Sequence, residues 1–308
     1  MAGTAAPLVA VAGETLVDVF TGGGRLRAQP GGSPANTAVA LARLGVPVTL
    51  VARFADDDYG RLLHHHLSSN GVDLSLAVDA VGRSSIARVT QAPDGSATYD
   101  FDIDGTVDWA WTADGLPTLP SSVVALNCGS LALARSPALE RWVRNQRESA
   151  TVCVDPNVRA GLVDASSAAA VERWLEFADI VKVSTDDLAL LYPTEDLEEV
   201  AGRWSRAGPA LVVVTAAELG ATAYAGETEV HRDAVAVDVA DTIGAGDAFT
   251  AGLLQALLEG ERLGGRLTAL TPAEVGTALE HAATVAALTC TRTGADPPTL
   301  GAVRALGR

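Results

Sequence analysis

The chain has 308 residues, 48% of them hydrophobic, which is enough for one large α/β domain or two ordinary ones with a well-filled core. Its formal net charge of −16, from 38 acidic against 22 basic residues, argues against nucleic acid or an anionic membrane as the main partner, because both need a basic face. The start of the chain lacks the basic segment of a secretory signal, and no run of about 18 apolar residues occurs, so we expect a cytoplasmic location.

The first predicted element is a short apolar strand over residues 8–12. Glu14 and Asp18 fall at or beyond its carboxyl end, which is where open α/β sheets bind their ligands. A helix is expected from about Asn36 to Leu44, closed by Gly45. These residues place a candidate binding region at the first strand-to-helix connection.

The segment before this helix predicts a pocket for a polyol. Gly31 and Gly32 allow the backbone to approach a ligand closely, and the Asn36 side chain offers both a donor and an acceptor to its hydroxyls. Asp18 can accept two further hydrogen bonds. Each of these residues alone is better explained as a turn or cap residue, so the prediction depends on their combination.

A hairpin is predicted next, after a strand over 47–52 and a helix that opens at 55–60 and ends at 70–71. Residues 86–91 and 97–103 alternate between apolar and polar side chains around the turn sequence Pro93-Asp94-Gly95. The hairpin therefore has one polar face.

From residue 123 onward the pattern becomes a series of βα units. The runs 123–128, 152–155, 179–183 and 211–215 are apolar without alternation, which predicts parallel strands buried on both faces. The three cysteines at positions 128, 153 and 290 lie in apolar runs and are odd in number, which predicts reduced core thiols rather than disulfides or metal ligands.

Polar residues follow these strands, beginning with Asp155-Pro156-Asn157-x-Arg159. Because Pro156 prevents Asp155 from starting a helix, we expect Asp155, Asn157 and Arg159 to form an exposed polar loop. Arg159 could bind a ligand there or simply pair with Asp155 or another acid on the loop.

The most informative stretch is Asp241-Thr242-Ile243-Gly244-Ala245-Gly246-Asp247, which runs directly into an apolar helix. Free N–H groups at the helix start would bind an anion at Gly244, Ala245 and Gly246, where no side chain obstructs it. Asp247 could accept a proton from an alcohol while these amides stabilise a phosphoryl group in transfer. A lone Gly-x-Gly-Asp would be better explained by an Asp that caps a core helix, so the prediction depends on the rest of the motif.

Three motifs give the chain a resemblance to a known family. The string 241–247 resembles the second signature of the ribokinase-like (PfkB) carbohydrate kinases, and Gly31-Gly32 with Asn36 resembles the first. Asp18 matches the sugar-binding acid upstream, and the 155–159 loop is similar to that of fructokinases, in which the Arg reaches the sugar or the transferred phosphate. The resemblance spans residues 13–294.

This resemblance implies a single ribokinase-like α/β domain over residues 1–308, with a central, mainly parallel sheet flanked by helices. A small β-sheet lid would come from about 18–32 and 84–108, and two copies could pair through it. The implied activity is transfer of the γ-phosphoryl group of ATP to a primary hydroxyl of a small sugar. D-fructose is the expected sugar, with ribose, 2-keto-3-deoxygluconate or a nucleoside as alternatives.

The resemblance also implies a nucleotide site at Ser184, Thr215 and Gly220, together with Gly244 and Gly246. The family's Asn-x-x-Glu stands here as Ser184-x-x-Asp187, so Asp187 is expected to hold Mg²⁺ through water.

A potassium ion is implied at Asp241 and the Ile243 carbonyl, closed by the stretch 292–294. Two departures, Ala217 for the first glycine of the phosphate loop and Ala283 for an Asn, leave the nucleotide preference open.

Two other classes of protein share features with this sequence. A Rossmann oxidoreductase needs a glycine fingerprint in the first βα turn, which Gly13-Glu14-Thr15 does not supply. Ala217 and Ala283 are compatible with a sugar-binding pseudokinase or regulator. A working kinase is favoured, because binding without transfer has no use for a base at an anion site.

Overall fold

The computed structural model describes residues 6–22, 25–91, 97–159, 162 and 166–306. Within these residues the strands are β1 Leu8–Ala12, β2 Leu16–Gly22, β3 Arg25–Gly31, β4 Val48–Val51, β5 Arg53–Ala55, β6 Val78–Ala80, β7 Ser85–Gln91, β8 Ala97–Asp102, β9 Val123–Gly129, β10 Thr151–Asp155, β11 Ile180–Ser184, β12 Leu211–Thr215, β13 Ala221–Ala225 and β14 Thr228–Arg232. The α-helices are α1 Ser33–Arg43, α2 Asp58–Ser69, α3 Ser130–Arg135, α4 Pro137–Gln146, α5 Ser167–Leu175, α6 Thr185–Leu191, α7 Leu197–Ser205, α8 Ala245–Glu259, α9 Pro272–Cys290 and α10 Leu300–Leu306.

The main sheet joins eight of the described strands in the order β14-β13-β12-β11-β10-β9-β1-β4. The strands from β12 to β4 are parallel, and β13 and β14 add an antiparallel hairpin at one edge. The four apolar runs predicted as parallel strands are β9 to β12, so this prediction is confirmed.

Helices cover both faces of this sheet, which explains the unbroken apolar runs. On β1, Val9 and Val11 join one buried cluster, while Ala10 and Ala12 join the other. The first cluster includes residues of α1, α2, α8, α9 and α10, and the second includes residues of α3 to α7. Cys128 and Cys153 are buried free thiols, as predicted, whereas Cys290 is free but only partly buried. No helix among the described residues is long and apolar enough to cross a membrane.

A second, four-stranded sheet has the order β3-β2-β7-β8. The strands β2 and β7 run parallel in its middle, and each is paired on its outer side with its antiparallel hairpin partner. The predicted hairpin of 86–91 and 97–103 is therefore confirmed, while its turn, Pro93 to Gly95, lies outside the described residues. The two segments expected to form a small sheet do pair with each other.

Helix α1 starts earlier than the sequence suggested. We predicted a start near Asn36, but the helix begins at Ser33, with Gly32 as the N-cap and Pro34 in the first turn. Proline is well suited to this position because its fixed φ matches the helix and its missing N–H would have no helical partner. The earlier start adds the Ser33 hydroxyl to the same end of the helix as Asn36.

A glycine sets the distance between α8 and α9. A Cβ atom at Gly252 would lie 2.9 Å from Ala282 Cα and 3.0 Å from Val285 Cγ2. Gly202 in α7 is less constrained, since a Cβ atom there would approach only the flexible end of Arg206, at 3.4 Å. The two helical glycines therefore form a matched pair for mutation.

We predict that Gly252→Ala lowers the free energy of unfolding by about 1–3 kcal/mol, because overpacking outweighs the gain of ~1 kcal/mol in helix propensity. Gly202→Ala should leave it unchanged or raise it. Urea denaturation of both variants measures the difference. Equal stabilisation by the two substitutions would contradict the close packing of α8 on α9.

Candidate active site

The candidate site lies at the carboxyl edge of the main sheet. Asp155 ends β10, Ser184 ends β11 and Thr215 ends β12, and Ser184 and Thr215 are partners in the strand register. Glu14 follows the end of β1. Since the strands are parallel, their carboxyl ends all reach this edge.

Helix α8 begins within the glycine turn, as predicted. Gly244 is its N-cap with a left-handed φ of 77°, and a Cβ atom there would lie 2.8 Å from the Ala295 Cβ, so a side chain is excluded. The Ala245 amide donates to the Thr242 carbonyl, but among the hydrogen bonds of the described residues the Gly246 and Asp247 amides have no acceptor. These two N–H groups at a helix start can bind an anion.

The carboxylate of Asp247 is 7% exposed and is held by α1. Its Oδ1 accepts a hydrogen bond of 2.6 Å from Ser33 Oγ, and its Oδ2 accepts one of 2.8 Å from Asn36 Nδ2. Asn36, expected in the sugar pocket, is therefore in direct contact with Asp247, expected to act in phosphoryl transfer. Ser33 was missed, although a hydroxyl three residues before Asn36 on one helix face is a signal for it.

Asp18 lies half-buried on β2, where it faces the end of β3. A Cβ atom at Gly31 would lie 2.6 Å from Asp18 Oδ2, so this glycine makes room for the carboxylate. Gly32 has a φ of 101°, and a Cβ atom there would lie 2.9 Å from the Glu14 carbonyl oxygen. Burial raises the pKa of Asp18 to about 6, and the Arg159 charge opposes this rise.

The prediction that Asp155 belongs to an exposed loop is wrong. Asp155 is 2% exposed, and its Oδ2 lies 2.7 Å from Lys182 Nζ. Asp155 does not start a helix, as Pro156 predicts, but strand β10 continues through Asp155, and the neighbouring strand β11 supplies a buried cation. Arg159 is exposed and donates to Asn157 Oδ1, so Lys182 and not Arg159 is the ionic partner of Asp155.

On the predicted nucleotide side, Ser184 and Asp187 form a capping box at the start of α6. Asp187 Oδ1 also accepts a hydrogen bond of 2.7 Å from the Val158 amide. Among the described residues, no group of three or more His, Cys, Asp or Glu side chains is arranged to hold a metal ion directly. The role of Asp187 towards Mg²⁺ therefore stays a prediction.

The loop after β12 keeps a left-handed residue where the family has glycine. Ala217 has a φ of 45°, a conformation that costs about 1–2 kcal/mol for a residue with a Cβ atom. Gly220 has a φ of 91°, and a Cβ atom there would lie 2.1 Å from the Arg232 carbonyl oxygen. Thr215 Oγ1 lies 3.4 Å from the Val183 carbonyl oxygen, which it can donate to. The loop thus keeps the backbone shape of a glycine-containing turn.

Asp241 joins the two segments expected around a monovalent ion. Its Oδ1 accepts from the Ile243 amide at 3.1 Å, and its Oδ2 accepts from the Gly294 amide at 2.8 Å. The Asp241 amide in turn donates to the Cys290 carbonyl at 3.2 Å. The segments are therefore adjacent, and the ion itself stays a prediction.

Two further acids are buried near the end of β1: Glu14, which the sequence placed in the candidate binding region, and Asp108, which it did not single out. Glu14 is 5% exposed, and its Oε2 has no hydrogen-bond partner among the described residues. Asp108 accepts from the Thr15 amide at 3.0 Å and from Ser85 Oγ at 2.7 Å. Burial raises the pKa of Glu14 to about 7 and that of Asp108 to about 6.

A doubly covered parallel sheet, a small second sheet and a helix start that bears a buried carboxylate define a ribokinase-like carbohydrate kinase. The chain belongs to the pfkB family of carbohydrate kinases, whose sequence profile matches residues 8–300. The resemblance drawn from the signatures, and the fold it implied, are confirmed.

The chain is similar to several fructokinases. The chain is 34% identical to the fructokinase of Rhizobium leguminosarum bv. trifolii, over 81% of this chain and 79% of the relative. It is 33% identical to the fructokinase of Salmonella typhimurium, over 92% of this chain and 94% of the relative. Among solved structures, fructokinase from Xylella fastidiosa with bound ATP superposes with a TM-score of 0.87 at 26% identity, covering 97% of each chain. A fructokinase double mutant from Vibrio cholerae O395, in a form with fructose, ADP and potassium ion bound, superposes with a TM-score of 0.83 at 28% identity, again covering 97% of each chain.

The buried Glu14 leads to a pH prediction. Its pKa is raised from 4.5, the value expected in the unfolded chain, to about 7 in the folded state. The stability that the protonated side chain contributes is therefore fully present below pH 4.5 and is lost as the pH rises through 7. Relative to the wild type, Glu14→Gln should therefore be more stable at pH 8 than at pH 5, by on the order of 2 kcal/mol. Urea denaturation at both pH values measures this.

The exposed Glu227→Gln is the control for loss of one carboxylate, and its stability difference from the wild type should be the same at both pH values. A Glu14→Gln difference that is equally independent of pH would contradict the raised pKa.

Proposed function

We propose that this kinase transfers the γ-phosphoryl group of ATP to a primary hydroxyl of D-fructose, with Asp247 as the general base. The observation that carries the proposal is the Asp247 carboxylate, which is buried and oriented by Ser33 and Asn36. Beside it, the first two amides of α8 that could bind an anion, those of Gly246 and Asp247, have no acceptor within the described part of the chain. A carboxylate so placed can take the proton of a bound alcohol. The Gly246 and Asp247 amides, in the turn that Gly244 and Ala245 start, can stabilise the charge that develops on the phosphoryl group.

The sugar is proposed to lie between α1 and β2. Asp18 and Asn36 offer hydrogen-bonding groups for its hydroxyls, and Gly31 and Gly32 bring the backbone close. The influence of Arg159 on the pKa of Asp18 supports a position for the guanidinium near the same ligand. Arg159 is exposed and bonds to Asn157 and the Val158 carbonyl, two surface contacts that it can exchange for the sugar or the transferred phosphate.

The proposed nucleotide site uses Ser184, Thr215 and Gly220, together with the glycine turn before α8. Mg²⁺ bound with ATP would supply charge neutralisation on the phosphates. Asp187 fits a contact through water, because its Oδ2 is occupied by Ser184 while its Oδ1 accepts only one hydrogen bond among the described residues.

For a potassium ion, the proposed ligands are Asp241 and the Ile243 carbonyl. Each Asp241 oxygen accepts one hydrogen bond among those of the described residues, which leaves it a lone pair for an ion. An ion bound there would order the turn that leads into α8.

Fructose is the preferred substrate because the named relatives at 33–34% identity are fructokinases. The pocket groups suit any polyol, and an aminoimidazole riboside kinase from Salmonella enterica superposes with a TM-score of 0.81 at 27% identity. Ribose, 2-keto-3-deoxygluconate or a nucleoside therefore remain the alternatives. A sugar-binding pseudokinase is less well supported, since binding alone would not need the oriented base at Asp247.

Three further features of the proposal concern the whole molecule. The chain is proposed to act as a single domain over residues 1–308. The small sheet, predicted over about 18–32 and 84–108, is proposed to serve as a lid over the sugar. Pairing of two copies through this sheet, and a cytoplasmic location, stay predictions.

Replacing the base tests the proposed chemistry. Asp247→Asn keeps the shape of the side chain but cannot accept the proton, so kcat should fall by ~10² to 10⁴ while the binding of sugar and ATP is largely kept. A coupled assay of ADP release measures kcat. The exposed Asp114→Asn is the matched control and should retain full turnover. Near-normal turnover of Asp247→Asn would disprove the assignment.

The substrate is tested by comparing kcat/KM for fructose, ribose, 2-keto-3-deoxygluconate and adenosine. A pocket that hydrogen-bonds each hydroxyl rejects a sugar that lacks one, because buried polar groups are then left unpaired. We expect fructose to give the highest value. Any competitor that exceeds it tenfold, or by ~1.4 kcal/mol in transition-state binding, would replace it as the substrate.

A further inference from the structure

Lys182 is a charged residue in the middle of a buried strand. It lies in β11 between apolar neighbours, its side chain is 5% exposed, and its Nζ is 2.7 Å from Asp155 Oδ2. Replacing such a buried ion pair with apolar residues is often neutral or stabilising, because removing two charges from water is costly. The pair is therefore poorly explained by stability alone.

The pair touches the start of α8. A Cβ atom at Gly246 would lie 3.2 Å from Lys182 Nζ, so the ammonium lies against the backbone of this turn. The Thr250 hydroxyl is 3.1 Å from both Asp155 Oδ2 and the Gly246 carbonyl oxygen, and it links the acid to the same turn. Of the two charges, the cation is the one in contact with Gly246.

The charges around Lys182 explain why it stays ionised. Burial lowers its pKa, but Asp155, and further away Asp247 and Asp187, raise it, and the net shift is upwards. Burial raises the pKa of Asp155 to about 6, opposed chiefly by Lys182. Lys182 is thus a buried cation paired with Asp155, and Asp187 and Asp247 act on it at the same edge of the sheet.

Resting on the proposed function, we infer that Lys182 is a positioning residue for phosphoryl transfer, whose buried ammonium supports the first turn of α8 and supplies positive charge behind the anion site. A transferred phosphoryl group would approach the Gly246 and Asp247 amides in the presence of Asp155, Asp187 and Asp247. A cation in contact with the turn offsets their repulsion, and at low dielectric this effect is large. Sugar contacts on α1 and β2 are not involved.

The test uses a paired substitution, because Lys182→Met alone would leave Asp155 as an unpaired buried charge and could prevent folding. In Lys182→Met/Asp155→Asn both charges are removed together. The urea midpoint should stay close to that of the wild type, the KM for fructose should change less than twofold, and kcat should fall at least tenfold. A double variant that retains both the midpoint and kcat would show that the pair is only structural and overturn the inference.

The matched control is the ion pair of Asp179 and Arg266, with Arg266 Nε 2.8 Å from Asp179 Oδ1. Asp179 is fully buried but immediately precedes β11, at the opposite end of the strand from the site. Arg266→Met/Asp179→Asn should leave kcat within twofold of the wild type. An equal loss of kcat in both double variants would overturn the inference, since it would show a general effect on the sheet.

A second measurement does not depend on turnover. ADP with aluminium fluoride, in the presence of Mg²⁺ and fructose, mimics the phosphoryl group in transfer, and calorimetry gives its affinity. The Lys182 double variant should lose at least tenfold in affinity for this mimic but less than twofold for ADP alone. Unchanged affinity for the mimic would overturn the inference. A wild-type protein inactive with every sugar would instead overturn the proposed function, and the inference with it, before any variant is compared.

Discussion

The two hydrogen bonds that α1 donates to Asp247 are the contact on which the site depends. Ser33 and Asn36 hold both carboxylate oxygens, so the position of the acid is set by a helix from the other end of the chain. Helix α1 and helix α8, which carries Asp247, pack on one face of the main sheet through the same buried cluster. A reactive group held in this way loses little freedom when substrate binds, and errors of about 1 Å in such placement can cost 10²-fold in rate.

The parts of the fold that depend on local pattern could be predicted from the sequence. Strands β9 to β12 are buried on both faces and therefore read as unbroken apolar runs. The start of α8 could be predicted from Gly244. The structure explains this glycine, because the position beside Ala295 has no room for a side chain. Helix α1 starts at Ser33, three residues before the predicted start at Asn36, and Pro34 in its first turn is the sequence signal for that earlier start.

The buried ion pair could not be predicted in the same way. Asp155 and Lys182 are 27 residues apart and meet only because β10 and β11 are neighbours in the sheet. The backbone effect of Pro156 predicts the conformation of Asp155 but not what covers its side chain. A lysine inside an apolar strand was the available signal, since such residues are rarely buried without a partner.

The assembly of the site also has a consequence for the timing of biosynthesis. Asp247 follows Asn36 by 211 residues, and at ~5–20 residues per second about 10 to 40 s of synthesis separate the two. During that interval α1 has no partner for these side chains, and β1 must wait for β9 to cover its second edge. Contacts between distant parts of a chain form late and slowly. The part of the core that α8 covers therefore stays exposed in the nascent chain until α8 emerges.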